Sequence, residues 1–166
     1  MAEFGLPALF TLFLWWFSTG LILYLDGLKR ETFRWTMLGA TTLLVVALGG
    51  LHALAGNTSA AGAWLGFVCG VLCWAWIEVA FLTGVVTGPR RTACPPGSRG
   101  WTRLSAAIGA ILWHELAIMV LALAIVAITW GAPNQIGTWT FLAFWVMRLS
   151  AKLNLYLGVR NLAEAF

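Results

Sequence analysis

Glu78, His114, Glu115, Arg148 and Lys152 stand inside stretches that are otherwise apolar. In such surroundings an ionisable side chain is costly unless it is paired or hydrated, so these residues should face inward. Arg148 and Lys152 are four apart and project from one helix face. Asn154 lies off that face and is placed to bond across to a different helix. At a rise of ~1.5 Å per residue from the expected helix ends, Glu115 lies ~17 Å in, Arg148 ~15 Å, Glu78 ~12 Å and Lys152 ~9 Å. The depths match Arg148 with Glu115 and Lys152 with Glu78. Such pairs would fix helix register. The same groups would alternatively line a pocket for a ligand carboxylate or carbonyl, or a proton or ion path. A transporter more typically shows internal repeats or paired broken helices, and the chain has no repeat at solenoid spacing and no low-complexity segment.

His114 follows Ala110 and Trp113 in Ala-Ile-Leu-Trp-His-Glu. A small residue four positions before a histidine leaves room beside the imidazole for a flat macrocycle. Light-harvesting polypeptides use that spacing to ligate bacteriochlorophyll magnesium, and a neutral imidazole suits the role. Hydrogen bonding of His114 to a neighbouring helix is the competing role. His52 is read as interfacial. His114-Glu115 lacks the second histidine of a metalloprotease helix, and no metal site is expected.

Gly62, Gly66 and Gly70 repeat at four-residue spacing. Such a stripe lets two membrane helices approach closely and gain van der Waals contact. The pattern leaves open whether the neighbour is internal or a partner protein. Cys69 and Cys73 are read as small packing residues. With Cys94 they make an odd set of three without framework spacing, which argues against a disulfide scaffold.

Five apolar stretches must position these groups: about Leu6–Leu25, Trp35–Ala55, Ala60–Val86, Leu104–Trp130 and Thr138–Gly158. Each reaches the ~20 residues that a hydrocarbon core of ~30 Å requires. The third and fourth are long and should tilt or protrude. The first has only Glu3 before it and no small-x-small cleavage site, so it is read as a retained helix and not a signal peptide. Lysines and arginines fall on or nearest one face. They lie in Asp26–Arg34, in Thr87–Arg103 and in the C-terminal region, whereas Gly56–Ser59 and Gly131–Gly137 carry no charge. The positive-inside rule makes the basic face cytoplasmic. The expected architecture is an all-α polytopic membrane protein with five transmembrane helices, N-terminus periplasmic and C-terminus cytoplasmic. Residues 1–166 form a single integral membrane domain with a cytoplasmic loop at 87–103.

That loop carries Arg90, Arg91 and Arg99 among prolines and glycines that forbid a helix through most of it. It is read as a topological anchor or as a docking loop for an acidic partner or lipid headgroups. Cys94-Pro95 resembles short haem-contact dipeptides, a signal of only two residues. Composition agrees with the membrane class: 61% of residues are hydrophobic and 10% charged, against roughly 25% charged in soluble domains. The net charge of +4 reflects the basic loops. No basic run with interleaved aromatics suggests nucleic-acid contact. No nucleophile–base–orienter set and no phosphate-cradling loop is visible, so catalysis is not expected.

Five strings resemble one known family: WWFSTGLILYLDGL (Trp15–Leu28), EVAFLTGVVTGPRRTACPPGSRGW (Glu78–Trp101), WHELAI (Trp113–Ile118), TWGAPNQIGTWTF (Thr129–Phe141) and RLSAKLNLYLGVRN (Arg148–Asn161). Across essentially the whole chain the sequence resembles the PuhE family of photosynthetic-complex assembly proteins of purple phototrophic bacteria. The resemblance implies a multi-pass protein of the bacterial inner, photosynthetic membrane, encoded beside reaction-centre and bacteriochlorophyll genes. It also implies further apolar helices after the matched region. The implied role is assembly of the reaction centre and its core antenna, or adjustment of bacteriochlorophyll supply. No catalytic residue is carried over.

The leading expectation is therefore an accessory factor that binds reaction-centre and light-harvesting core polypeptides, with the glycine stripe and arginine loop as contact surfaces and bacteriochlorophyll as a candidate ligand. The alternatives are a stoichiometric pigment-binding subunit or bacteriochlorophyll carrier through His114, and a membrane enzyme or transporter using Glu78, Glu115, Arg148 and Lys152.

Overall fold

The computed structural model describes residues 2–92, Gly97 and 100–156. Among them are five α-helices and one short 3-10 turn: α1 (Ala2–Asp26), the turn Arg30–Thr32, α2 (Phe33–Leu54), α3 (Ala60–Leu82), α4 (Gly100–Thr129) and α5 (Ile136–Tyr156). Four of these regions are long and apolar enough to cross a membrane: Gly5–Asp26, Arg30–Leu54, Ala60–Leu82 and Gly100–Thr129. α5 falls outside that group; its 21 residues include Arg148, Lys152, Asn154 and several hydroxyl side chains. Arg99, Cys94-Pro95 and Arg160 lie outside the described residues.

Three helix ends depart from the apolar pattern by four residues, and α1 begins at Ala2, ahead of Leu6. α3 stops at Leu82 although the apolar run continues to Val86. Gly84 adopts a φ of 75°, a left-handed conformation that only glycine takes without strain, and the helix cannot continue through it. α4 begins at Gly100, ahead of the apolar run that starts at Leu104. Hydropathy marks where the apolar run begins, and the more polar Trp101–Arg103 turn precedes it in the same helix. Arg103 is thus helical and the loop is shorter than expected. The 30 residues of α4 make ~45 Å of helix, well beyond a ~30 Å hydrocarbon core.

Several hydroxyl groups in or just past these helices bond back to the carbonyl four residues earlier. Thr42 Oγ1 donates to the Leu38 carbonyl at 2.9 Å, Thr83 Oγ1 to Val79 at 2.7 Å and Thr140 Oγ1 to Ile136 at 2.7 Å.

The chain divides into two compact units, 1–45 with 75–117, and 46–74 with 118–166. In the first, Ile77, Val79, Ala80, Ala106 and His114 are buried. Trp76 Nε1 donates to Thr41 Oγ1 at 3.1 Å and ties α3 to α2. No residue of Gly5–Asp26 is buried, and Leu12, Trp15, Trp16, Phe17 and Leu23 are all exposed. A soluble monomer rarely leaves so large an apolar surface open.

In the second unit, Ile118, Leu121, Ala122, Ile125 and Thr129 form one buried stripe of α4 at helical spacing. It belongs to a core with Leu51, Val71, Cys73, Trp74 and Phe141. Trp74 meets Phe141 edge-on at 5.4 Å and stacks on Phe144 at 5.8 Å. Thr129 and Thr138 join α4 to α5 through a buried hydroxyl–hydroxyl bond of 2.8 Å.

Candidate functional site

Polar chemistry in the second unit gathers at Asn134, which is buried in the Gly131–Gln135 connection between α4 and α5. Its Nδ2 donates to the carbonyls of Leu54, Asn57 and Gly62 at 3.2, 3.0 and 3.1 Å. Its Oδ1 accepts from Ile136 N at 3.2 Å, and its own N–H donates to Ala55 at 3.0 Å. An amide nitrogen has two hydrogens, so three carbonyls require one shared bond. One side chain thus ties together the carbonyl of Leu54 at the end of α2, that of Asn57 in the turn that follows and that of Gly62 in the first turn of α3, and also caps the start of α5. This arrangement locks the connection between α4 and α5.

The glycine stripe lies directly beneath it. A methyl group at Gly66 would stand 3.5 Å from Asn134 Oδ1, and one at Gly70 would stand 2.7 Å from the Gly137 carbonyl. At Gly137 it would overlap Leu51 Cδ2 and stand 2.8 Å from the Gly66 carbonyl. Gly70 and, opposite it, Gly137 therefore bring the backbones of α3 and α5 together, which a side chain at either position would prevent, whereas a methyl group at Gly66 would meet only ordinary contact. The neighbour that the sequence left open is internal for this part of the stripe. Gly62 instead faces Asn57, whose backbone oxygen a methyl group would overlap.

In the first unit, the chain leaving α3 folds back along α4. Arg90 N donates to the Gly109 carbonyl at 3.0 Å, and His114 N donates to the Thr87 carbonyl at 2.8 Å. Between these bonds Gly88 is buried, and a methyl group there would overlap the Gly109 oxygen and the Ala110 backbone. α4 thus lends its own backbone groups to a non-helical segment, which satisfies peptide groups that would otherwise be desolvated. Arg90 Nε donates to the Thr92 carbonyl at 3.1 Å. A cleft of about 410 Å³ opens beside this segment, with Arg90 and Arg91 on its polar side and Phe81 and Ile111 on its apolar side.

His114 occupies a different environment from the one its spacing suggested. It is fully enclosed, with its ring 4.4 Å from that of Phe81. Gly88 packs on the backbone of Gly109 and Ala110, one turn before His114. A tetrapyrrole on His114 would have to displace Phe81, so the enclosed ring does not fit bacteriochlorophyll ligation in this arrangement. Trp113 points away and is half exposed.

Glu78 and Glu115 belong to the first unit, and Arg148, Lys152 and Asn154 to the second. Glu78, Glu115, Arg148 and Lys152 are half-buried, while Asn154 is exposed. Glu115 lies at the middle of α4, and Glu78 lies one turn from the end of α3. His52 is exposed in the last turn of α2. Among the described residues no group of three or more His, Cys, Asp or Glu side chains is placed to hold a metal ion.

Two features escaped the sequence reading. Asn134 stands in an uncharged connection, where a lone amide between Gly-Ala-Pro and Gln-Ile-Gly is its one signal in the sequence. The docking of Thr87–Arg90 on α4 runs through backbone groups, and only the Gly88-Pro89 pair hinted at it.

The chain is 38% identical over 165 residues to an uncharacterized 30.4 kDa protein in the puhA 5′ region of Rhodobacter capsulatus. The match covers 97% of this chain and 60% of that relative, so the chain spans about three-fifths of the relative's length. No solved structure matches it. The family model for DUF3623, a protein of unknown function, matches residues 1–166, and the chain belongs to that family.

Proposed function

We propose that this chain is a PuhE-type accessory factor for assembly of the photosynthetic reaction centre and its light-harvesting core. In this reading it is a five-span protein of the photosynthetic membrane, with its N-terminus periplasmic and its C-terminus cytoplasmic. It binds transmembrane helices of the core polypeptides and catalyses no reaction. The Rhodobacter capsulatus relative, described by its position in the puhA 5′ region, supports the photosynthetic setting that the resemblance implies.

The observation that carries the helix-binding part is α1. Its membrane-length stretch Gly5–Asp26 has no buried residue and presents Trp15, Trp16 and Phe17 outward. A helix that contributes little to its own core is available to pack against another protein's helix. In lipid, such association is driven by van der Waals packing and needs no charged contact. The glycine stripe is less suited to this role, because Gly66 and Gly70 are already engaged by α5.

Deleting the gene and measuring assembled core complex in phototrophic membranes tests the reading. The expected result is a loss of reaction-centre and core-antenna absorption with free bacteriochlorophyll still made. Unchanged core complex would overturn it. Restoring the deletion strain with a chain whose α1 outward face is changed to leucine should fail to recover assembly.

A further inference from the structure

We propose that the cleft between the Thr87–Thr92 segment and α4 binds the phosphate group of an anionic membrane lipid. Its volume of about 410 Å³ lies within the ~300–1,000 Å³ range of small-ligand sites. The cleft is two-sided. Thr87, Arg90, Arg91 and Thr92 supply its polar side, and Phe81, Ala110 and Ile111 supply an apolar one. No acidic residue lines it among the described residues. A phosphodiester carrying a glycerol and acyl chains has the same two-sided chemistry.

The polar side is held in place. The bonds from Arg90 N to Gly109 and from His114 N to Thr87 pin the segment at two points along α4. Gly88 allows the close approach, and the bond from Arg90 Nε to Thr92 fixes the direction of the guanidinium. Arg91 is exposed beside it. Paired guanidinium groups recognise phosphate oxygens through charge-assisted, often bidentate bonds. The site lies just past the end of the apolar α3, the level at which headgroups meet a membrane helix. The apolar side distinguishes this assignment from a site for free phosphate. The proposal does not rest on the photosynthetic reading, because the purified chain alone displays the site.

The test is binding of fluorescent phosphatidylglycerol to the purified, delipidated chain in neutral detergent. Phosphatidylcholine and inorganic phosphate serve as competitors. The expected result is displacement by unlabelled phosphatidylglycerol at low concentration and weak displacement by the other two. Arg91→Gln lies on an exposed side chain and should leave folding intact while weakening binding by about tenfold, as loss of one charge-assisted bond requires. Arg91→Lys should recover part of that loss, and Arg34→Gln should change nothing. Equal displacement by phosphatidylcholine would overturn the anion assignment. Displacement by inorganic phosphate as effective as by phosphatidylglycerol would assign the site to a soluble phosphate and overturn the lipid assignment. Unchanged binding in both Arg91→Gln and the Arg90→Gln/Arg91→Gln double variant would remove the site altogether.

Discussion

The backbone N–H of His114 donates to the carbonyl of Thr87 at 2.8 Å, so a helix fourteen residues past its start bonds to a segment that is not helical. The bond is possible because Gly88, the next residue, has no side chain to hold the two backbones apart. It places the arginine-bearing segment along α4.

Gly88→Ala should therefore undock that segment. The added methyl group meets rigid backbone at Gly109 and Ala110, and overpacking of this kind costs about 1–3 kcal/mol. Hydrogen exchange at the Arg90 and His114 amides should accelerate, and trypsin should cut more readily at Arg90 and Arg91. Gly39→Ala, with nothing within 4 Å of the new methyl group, should leave both readouts unchanged.

His114→Ala should act on stability and not on colour. The side chain is fully enclosed against Phe81, and removing a buried ring leaves a cavity that costs about 2–4 kcal/mol. Thermal unfolding of the purified chain should shift downward. Any long-wavelength pigment band that co-purifies should keep its position. A band abolished by this change in a still-folded chain would restore histidine ligation.

Much of this was legible in the residues and some was not. The apolar stretches located the helices to within a few residues, because hydrophobic length is written directly in composition. The α3 end was misplaced because Val85 and Val86 extend the apolar run, whereas termination depends on the backbone angle at Gly84. Four-residue glycine spacing revealed a packing face, but spacing carries no information on what packs there; Gly137 and Thr140 of α5 supply it. The spacing of Ala110 and His114 says nothing of the enclosure of the imidazole, because Phe81, which packs on it, arrives from another helix end.

Asn134 should be the most sensitive polar position in its unit. Asn134→Ala removes the side-chain donor shared by the carbonyls of Leu54, Asn57 and Gly62, and the loss of a buried hydrogen-bonding partner costs about 1–3 kcal/mol. Asn134→Asp should be worse, since a carboxylate would face three carbonyl oxygens. Thermal unfolding in detergent checks the order Asn, then Ala, then Asp.

Close approach of α3 and α5 predicts asymmetric glycine tolerance. Gly70→Ala sets a methyl group 2.7 Å from the Gly137 carbonyl and 2.9 Å from Thr140 Cβ, and should destabilise by about 1–3 kcal/mol. Gly49→Ala meets nothing within 4 Å and should be neutral by the same measurement.

The most direct test of the proposed role is mild-detergent purification of the tagged chain from phototrophically grown membranes, with partners identified by mass spectrometry. The account predicts that reaction-centre and core-antenna polypeptides co-purify, and that changing the outward residues Trp15, Trp16 and Phe17 of α1 to leucine removes them while the chain still accumulates in the membrane. Recovery of the intact chain without photosynthetic polypeptides would contradict it.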